Sequence, residues 1–364
     1  MTGDDPTEPP ELLLTSRAFR DDTKNGFCST VLELRRQTVR SRRRTKHLGV
    51  ACLVLALLPA TAGAGTLGTD IIGLFPKDLG EFAYADLKAA RRFRWYNQLK
   101  EQMLPSRFRQ FEQFLASAGI DPNTQVDELA WGLVLPTETT GEQVVGVALG
   151  QFSPAAAEQF FQEQKLPVVR VRGYTLFAFG SGAGPNDIFF FFVDSNTAAF
   201  GHRSILEKLI DVRFGVEEGL LRNEKVFPLV EGLNGRGLVW AVLDPGYARL
   251  AFQQLVPEAA QFPEASNLVA KIQALTIQIE ADRGVDARFQ AVCESPDDAN
   301  LFAALLQAGL LYRRYQERQT NPELAKMLDD VRITPRGDRL ELRLSLTEEM
   351  LLSLLRRNTF ATKW

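Results

Sequence analysis

The sequence predicts an α+β fold: a tandem duplication of two related domains, each a mostly antiparallel sheet covered by helices. Three observations predict it. Apolar residues recur with strand period and with helix period in alternating segments of the chain. Polar loops join several of the strand segments as hairpins, which pair antiparallel. The motif Ser-Pro-x-x-Ala-x-x-Phe occurs twice, at Ser153, Pro154, Ala157 and Phe160 and again at Ser295, Pro296, Ala299 and Phe302.

The first domain is expected over residues 75–214. After Phe75-Pro76, Glu81–Ala85 reads as a strand with Phe82 and Tyr84 on one face, and Asp86 caps a helix over Leu87–Met103. Pro105 ends that helix, and Phe108, Phe111 and Phe114 repeat at the spacing of a second one. Leu129–Leu135 and Val144–Phe152 form a hairpin. Ser153-Pro154 then starts a helix, because Ser caps free amides and Pro needs no N–H donor at that place. Val168–Val171, Tyr174–Phe179, Ile188–Val193 and Thr197–Phe200 are four short strands, and Ser204 with Glu207 forms a capping box for a helix ending near Val212.

The second domain is expected over 227–357. Phe227-Pro228 opens it, followed by the strand Leu238–Leu243 and helices over Tyr247–Leu255 and Ala265–Ala274. Leu275–Glu280 alternates as a strand and turns at Asp282–Asp286 into Ala287–Cys293. Ser295-Pro296 starts a long, largely apolar helix through Tyr315. Val331–Thr334 and Leu340–Leu346 form a hairpin, and Ser345 with Glu348 is a second capping box before Glu349–Leu355. The Phe-Pro opening, the hairpin and the Ser-Pro helix recur in the same order, so duplication is preferred over a chance repeat of a common helix start.

Ahead of the domains, residues 1–47 are polar, poor in aromatics and without a sustained period, a composition that predicts disorder. Residues 48–69 carry no charge and follow the basic run Arg40–Lys46, the pattern of a chain sent to or through a membrane with its positive side in the cytoplasm. Two readings stand. As a transmembrane helix, the segment spans about 33 Å at about 1.5 Å per residue. As a signal peptide, its leucine-rich part (48–58) closes at Pro59, and Ala62-Gly63-Ala64 has the small-x-small form of a cleavage site. The expected location is the inner membrane, single-pass with the C-terminal part outside the cytoplasm, or periplasmic or secreted if cleaved after Ala64.

Without these leading segments the chain holds 32 Lys and Arg against 38 Asp and Glu, an acidic balance that argues against nucleic acid. Cys293 is the sole cysteine beyond residue 69 and His202 the sole histidine. No internal disulfide can form there, and one His with one Cys cannot build a His/Cys metal site. Neither Gly-x-Ser-x-Gly nor HExxH nor EF-hand spacing occurs. No catalytic, cofactor or metal residue is assigned, and no cofactor is expected. Gly180–Pro185 lacks the Gly-Lys-Ser/Thr of a phosphate loop and reads as a hairpin loop. Arg336-Gly-Asp338 reads as a turn between strands.

Two segments carry alternative readings. Arg91, Arg92, Arg94 and Trp95 interleave cations with an aromatic, as a contact for lipid headgroups or an acidic partner would, although a helix with solvated arginines also explains them. Phe189, Phe190, Phe191 and Phe192 put aromatics on both faces of one strand. They read either as a strand buried on both sides or as an apolar ligand or partner surface.

The pattern Asp127–Trp131, Gly150-x-Phe152, Arg172-Gly-Tyr174 and Phe200-Gly201 resembles bacterial exported or membrane-anchored envelope proteins of unknown function with tandem α+β domains. The resemblance covers residues 75–212 and transfers no catalytic residue. The function it implies is a non-enzymatic envelope protein that binds another protein or organises an assembly. A carrier of lipid or another apolar ligand is the alternative, and an enzyme of unrecognised type the third reading. The expected partner is an envelope protein or an apolar ligand.

Overall fold

The computed structural model describes residues 65–135, 141–255, 263–282 and 284–357. The basic leader and the apolar segment up to residue 64 lie outside the described residues. Residues 65–69 belong to the folded body: Leu67 is buried, its N–H donates to Asn234 Oδ1 (2.9 Å), and its carbonyl accepts from Asn234 Nδ2 (2.8 Å). Among the described residues, no helix is long and apolar enough to cross a membrane.

In chain order the first half comprises α1 (Thr69–Ile72), β1 (Glu81–Asp86), α2 (Leu87–Ala90), α3 (Tyr96–Met103), α4 (Ser106–Ser117), α5 (Pro122–Gln125), β2 (Val126–Val134), β3 (Gln143–Gly150), α6 (Pro154–Glu163), β4 (Val168–Val171), β5 (Tyr174–Phe179), β6 (Ile188–Phe192), β7 (Thr197–Gly201) and α7 (Arg203–Arg213). The second comprises α8 (Phe227–Leu233), β8 (Val239–Leu243), α9 (Pro245–Leu255), α10 (Pro263–Ala270), β9 (Ile272–Ala281), β10 (Gly284–Cys293), α11 (Pro296–Thr320), α12 (Pro322–Asp329), β11 (Arg332–Arg336), β12 (Arg339–Thr347) and α13 (Glu348–Arg356). All twelve strands join one antiparallel sheet in the order β11-β12-β10-β9-β8-β1-β2-β3-β7-β6-β5-β4. The fold class is thus α+β, with a large antiparallel sheet flanked by helices.

The centre of that sheet is the antiparallel pair β1–β8, with Glu81 opposite Leu243 and Ala85 opposite Val239. Outward from it, β1-β2-β3-β7-β6 on one side repeats the order β8-β9-β10-β12-β11 on the other, and β5 and β4 extend the first side. The two halves also share core. Trp95, Tyr96 and Leu99 from the first half lie in one apolar cluster with Phe289, Leu344 and Leu354 from the second. Val230 and Trp240 pack with Phe82, Val145 and Leu209.

The two sides bury differently, and the sequence patterns follow from that. β6 is buried at every position. Phe189 and Phe191 face the cluster that includes Leu206 and Leu209 of α7, while Phe190 and Phe192 face the cluster holding Phe111 of α4 and Phe161 of α6. A strand covered on both faces is apolar without alternation. In β9 and β10 one face is apolar and packed, and the other is polar and only partly crossed by α8. Ile279, Val285, Ala287 and Phe289 enter the core, whereas Glu280 and Asp286 on the opposite face are exposed. Alternation is the result.

Several local expectations are corrected. The helix expected over Leu87–Met103 is broken: α2 ends at Ala90 and α3 begins at Tyr96. A continuous helix would place Arg91 and Trp95 one turn apart on one face, yet Arg91 bonds outward to the Val126 carbonyl (2.7 Å) while Trp95 is 1% exposed. The intervening turn separates them. Ser204 is not a cap; His202 holds that position before α7. Ser345 lies within β12, and Thr347 caps α13 by accepting from Met350 N–H (3.2 Å). Ser153 sits at the N-cap of α6 without a side-chain bond, whereas Ser295 accepts from Asp298 N–H (3.2 Å). α12 had no expectation in the sequence.

Where β7 passes into α7, Gly201 has φ +151°, and a Cβ there would lie 2.2 Å from the Val144 carbonyl oxygen on the neighbouring strand. Backbone cannot yield as a flexible side chain does. Gly201→Ala should therefore lower stability by about 1–3 kcal/mol, read as a drop in the urea midpoint. An unchanged midpoint would contradict the close approach.

Candidate functional site

The residues singled out in the sequence are structural. Phe189, Phe190, Phe191 and Phe192 are 1–8% exposed, and their rings meet neighbours closely: Phe190 lies 5.0 Å from Phe161 and 5.3 Å from Phe111, and Phe191 lies 4.9 Å from Tyr174. These are core aromatic contacts, so the partner-surface reading of this strand is corrected to a strand buried on both sides. Arg91 also donates to Asp127 (3.2 Å), and Arg94 donates to Glu348 (2.9 Å). Trp95 is buried and stacks on Phe93 at 5.6 Å. Arg92 is exposed. Of the two readings of this segment, solvated arginines beside a buried aromatic describe these residues.

Among the described residues, an exposed apolar feature lies elsewhere, on α11. This helix is 25 residues long, about 37 Å at 1.5 Å per residue. Ser295 caps it, Pro296 fills its first position, and Asp297 and Asp298 complement its dipole. Lys271 Nζ bonds Asp298 at 2.5 Å, tying the helix start to the segment before β9. Ala299, Phe302 and Ala303 are buried. The opposite face is also apolar yet bare: Leu301 is 60% exposed, Leu311 63%, Tyr312 59% and Tyr315 72%. Ala304 and Ala308 lie between them and are exposed too. At about 100° per residue these six positions fall within a sector of about 120°. Isolated exposed apolar residues are ordinary, whereas a contiguous stripe four turns long is not. The sequence shows a long, largely apolar helix here, and its apolar residues occupy more of the circumference than one buried face needs.

A second feature is a polar groove of about 340 Å³ between α8 and the polar face of the second half's sheet. Arg236, Arg288 and Arg339 line it with Thr276, Gln278 and Glu341. Glu341 is buried and accepts from Arg343 Nε at 2.5 Å. Burial opposes its charge, but that bond and the surrounding guanidinium groups outweigh burial and hold its carboxyl below the usual range. Arg339 donates to Gln290 (2.9 Å). The groove has more guanidinium than carboxylate and suits an anionic group.

Several titratable groups elsewhere are shifted towards their neutral forms. Glu81 accepts from Trp131 Nε1 (3.3 Å) and Glu142 accepts from the Tyr247 hydroxyl (2.9 Å). Burial, then the charge of Glu142, pushes Glu81 up to about 7, and burial raises Glu142 as well. His202 Nδ1 accepts from Val144 N–H (3.0 Å) while the His202 backbone N–H donates to the Val144 carbonyl (3.0 Å). An accepting ring nitrogen must be unprotonated, and burial followed by nearby Arg107 lowers its pKa accordingly. This histidine is a buried structural element at the N-cap position of α7. Burial raises the Cys293 thiol to about 11, away from the thiolate. Among the described residues, no group of three or more His, Cys, Asp or Glu is arranged to hold a metal ion.

No protein-family model and no curated protein matches the chain. Solved structures similar to it include crystal form I of TP0453, with a TM-score of 0.44 at 10% identity over 82% of this chain and 99% of that one. Crystal form IV of TP0453 gives 0.44 at 11% identity over 78% and 95%.

Proposed function

We propose that this chain is a non-enzymatic binding module of the bacterial envelope, which docks another protein or organises an assembly. The observation that carries the reading is the bare apolar stripe of α11, from Leu301 to Tyr315. A helix already anchored to its own body by Phe302 and Ala303 needs no second apolar face for folding, and leaving one in water is costly at about 25 cal/mol per Å² of apolar surface. Docking removes that cost. The close ring contacts around Phe190 weigh against an apolar ligand held within that strand's faces. The shifts of Glu81 and His202 towards their neutral forms are explained by burial and by the neighbouring charges of Glu142 and Arg107, which lowers the enzyme reading. The repeated strand order about the β1–β8 pair supports a duplicated origin for the two halves.

A photo-crosslinking side chain introduced at Tyr312 in the full-length chain, in the cells that make it, tests this. A discrete protein adduct is expected, and Leu311→Glu in the same chain should reduce it at least about tenfold, because a buried charge without a partner is strongly disfavoured at an apolar interface. Absence of any protein adduct would overturn the reading.

A further inference from the structure

We propose that the bare face of α11 is a self-association surface, on which a second copy of this chain lays its own α11 antiparallel about a twofold axis at Ala308. This rests on the docking reading above and names the partner. Two features of the helix point to a copy of itself. The first is shape. With the axis at Ala308, Leu301 meets Tyr315 of the second copy, Ala304 meets Tyr312, and Leu311 meets the half-buried Leu305. Apolar side chains therefore oppose apolar ones along the seam, Ala304 leaves room for the Tyr312 ring, and the Ala308 pair at the centre lets the backbones approach, as packed helices require. The same matches recur on both sides of the axis, as an isologous contact demands.

The second is charge. Asp297 continues the stripe at its N-terminal end and is exposed, and Arg318 and Gln319 lie at its C-terminal end, also exposed. Antiparallel pairing brings Asp297 of each copy to Arg318 and Gln319 of the other, giving two opposite-charge contacts; a parallel pair would set like charges together. A lipid surface fits less well. Its apolar layer would have to accept Asp297, and the sector around Leu301 to Ala308 is flanked by Asn300 and Gln307 rather than by lysine or arginine. One helix pair covers less than the about 800 Å² per partner of a standard interface, so the dimer is weak and depends on concentration, which membrane attachment would raise.

Cysteine crosslinking of the full-length chain, with Cys28 and Cys52 replaced by serine, tests the geometry. Ala308→Cys should give a disulfide-linked dimer on mild oxidation. Asn300→Cys should not, since its two copies lie about 24 Å apart along the axis at about 1.5 Å per residue. In the Ala308→Cys chain, Asp297→Arg or Arg318→Asp alone should lower the crosslinked fraction at least about fivefold, and the two together should restore it. Circular dichroism on each variant checks that α11 is intact. Equal crosslinking at 300 and 308, or a yield indifferent to the charge exchanges, would overturn the proposal. So would a monomer that floats with phosphatidylglycerol vesicles through Leu311. If these tests fail while Leu311→Glu still abolishes an adduct to a different protein at Tyr312, self-association falls and the docking reading stands; loss of both sets of results removes both.

Discussion

Replacing Trp95 by alanine should destabilise the protein by about 3–5 kcal/mol, the usual cost of deleting a large buried aromatic. Trp95 is 1% exposed, stacks on Phe93, and lies in the cluster that includes Phe289, Leu344 and Leu354. It comes from the first half of the chain and is buried among strands and helices of the second. The loss should therefore appear as a shift of one cooperative urea transition followed by both fluorescence and circular dichroism, not as separate melting of one half. The contrast with a surface role is sharp. If Trp95 served lipid headgroups or a partner, truncating it would change stability by less than about 0.5 kcal/mol. A shift that small, or two separated transitions, would refute the shared core.

Glu81→Gln should stabilise the protein at pH 8 and leave it nearly unchanged at pH 4. The folded state raises Glu81 from 4.5 to about 7, so the fold prefers the protonated acid. Its favourable contribution is complete below about pH 4.5 and is lost as pH rises towards 7, amounting to about 3 kcal/mol. Glutamine retains an uncharged oxygen for the Trp131 N–H and removes the titration. Glu142 and Glu128 are raised in the same direction and leave a smaller slope of the same sign. His202, held neutral, acts oppositely below its ordinary value of 6.5. The informative quantity is therefore the difference between Glu81→Gln and the parent across pH 4–8, measured by urea unfolding. A difference that stays flat would show that Glu81 is ionised in the fold.

How far the sequence was legible depends on the range of the interaction concerned. β6 and β9 were readable because burial on two faces and burial on one write different periods into a single strand. The break at residues 91–95 was not, since Arg91 and Trp95 are compatible with one helix until Val126 and Asp127 supply partners for the arginine. Ser204 satisfied the capping pattern, but His202 is fixed to Val144 by two hydrogen bonds, and that tie determines where α7 begins. The β1–β8 pair lies beyond local reading altogether: nothing in Glu81–Asp86 names residues 239–243 as neighbours. For the functional surface, composition located an apolar helix at 296–315, but only the three-dimensional arrangement tells which of its two apolar faces is covered. Glu81 and Glu142 were invisible as a pair for the same reason.

The central position of β1 has a consequence for how the chain matures. Its second neighbour, β8, begins about 150 residues downstream of it, with Glu81 finally opposite Leu243. A ribosome or translocation channel delivers the N-terminal end first, so β2 and β3 can dock on one edge of β1 while its other edge waits open. Loop closure over that distance is slow, and an unpaired strand edge recruits other chains. The interval between the arrival of β1 and that of β8 is therefore the period in which this protein most needs a chaperone.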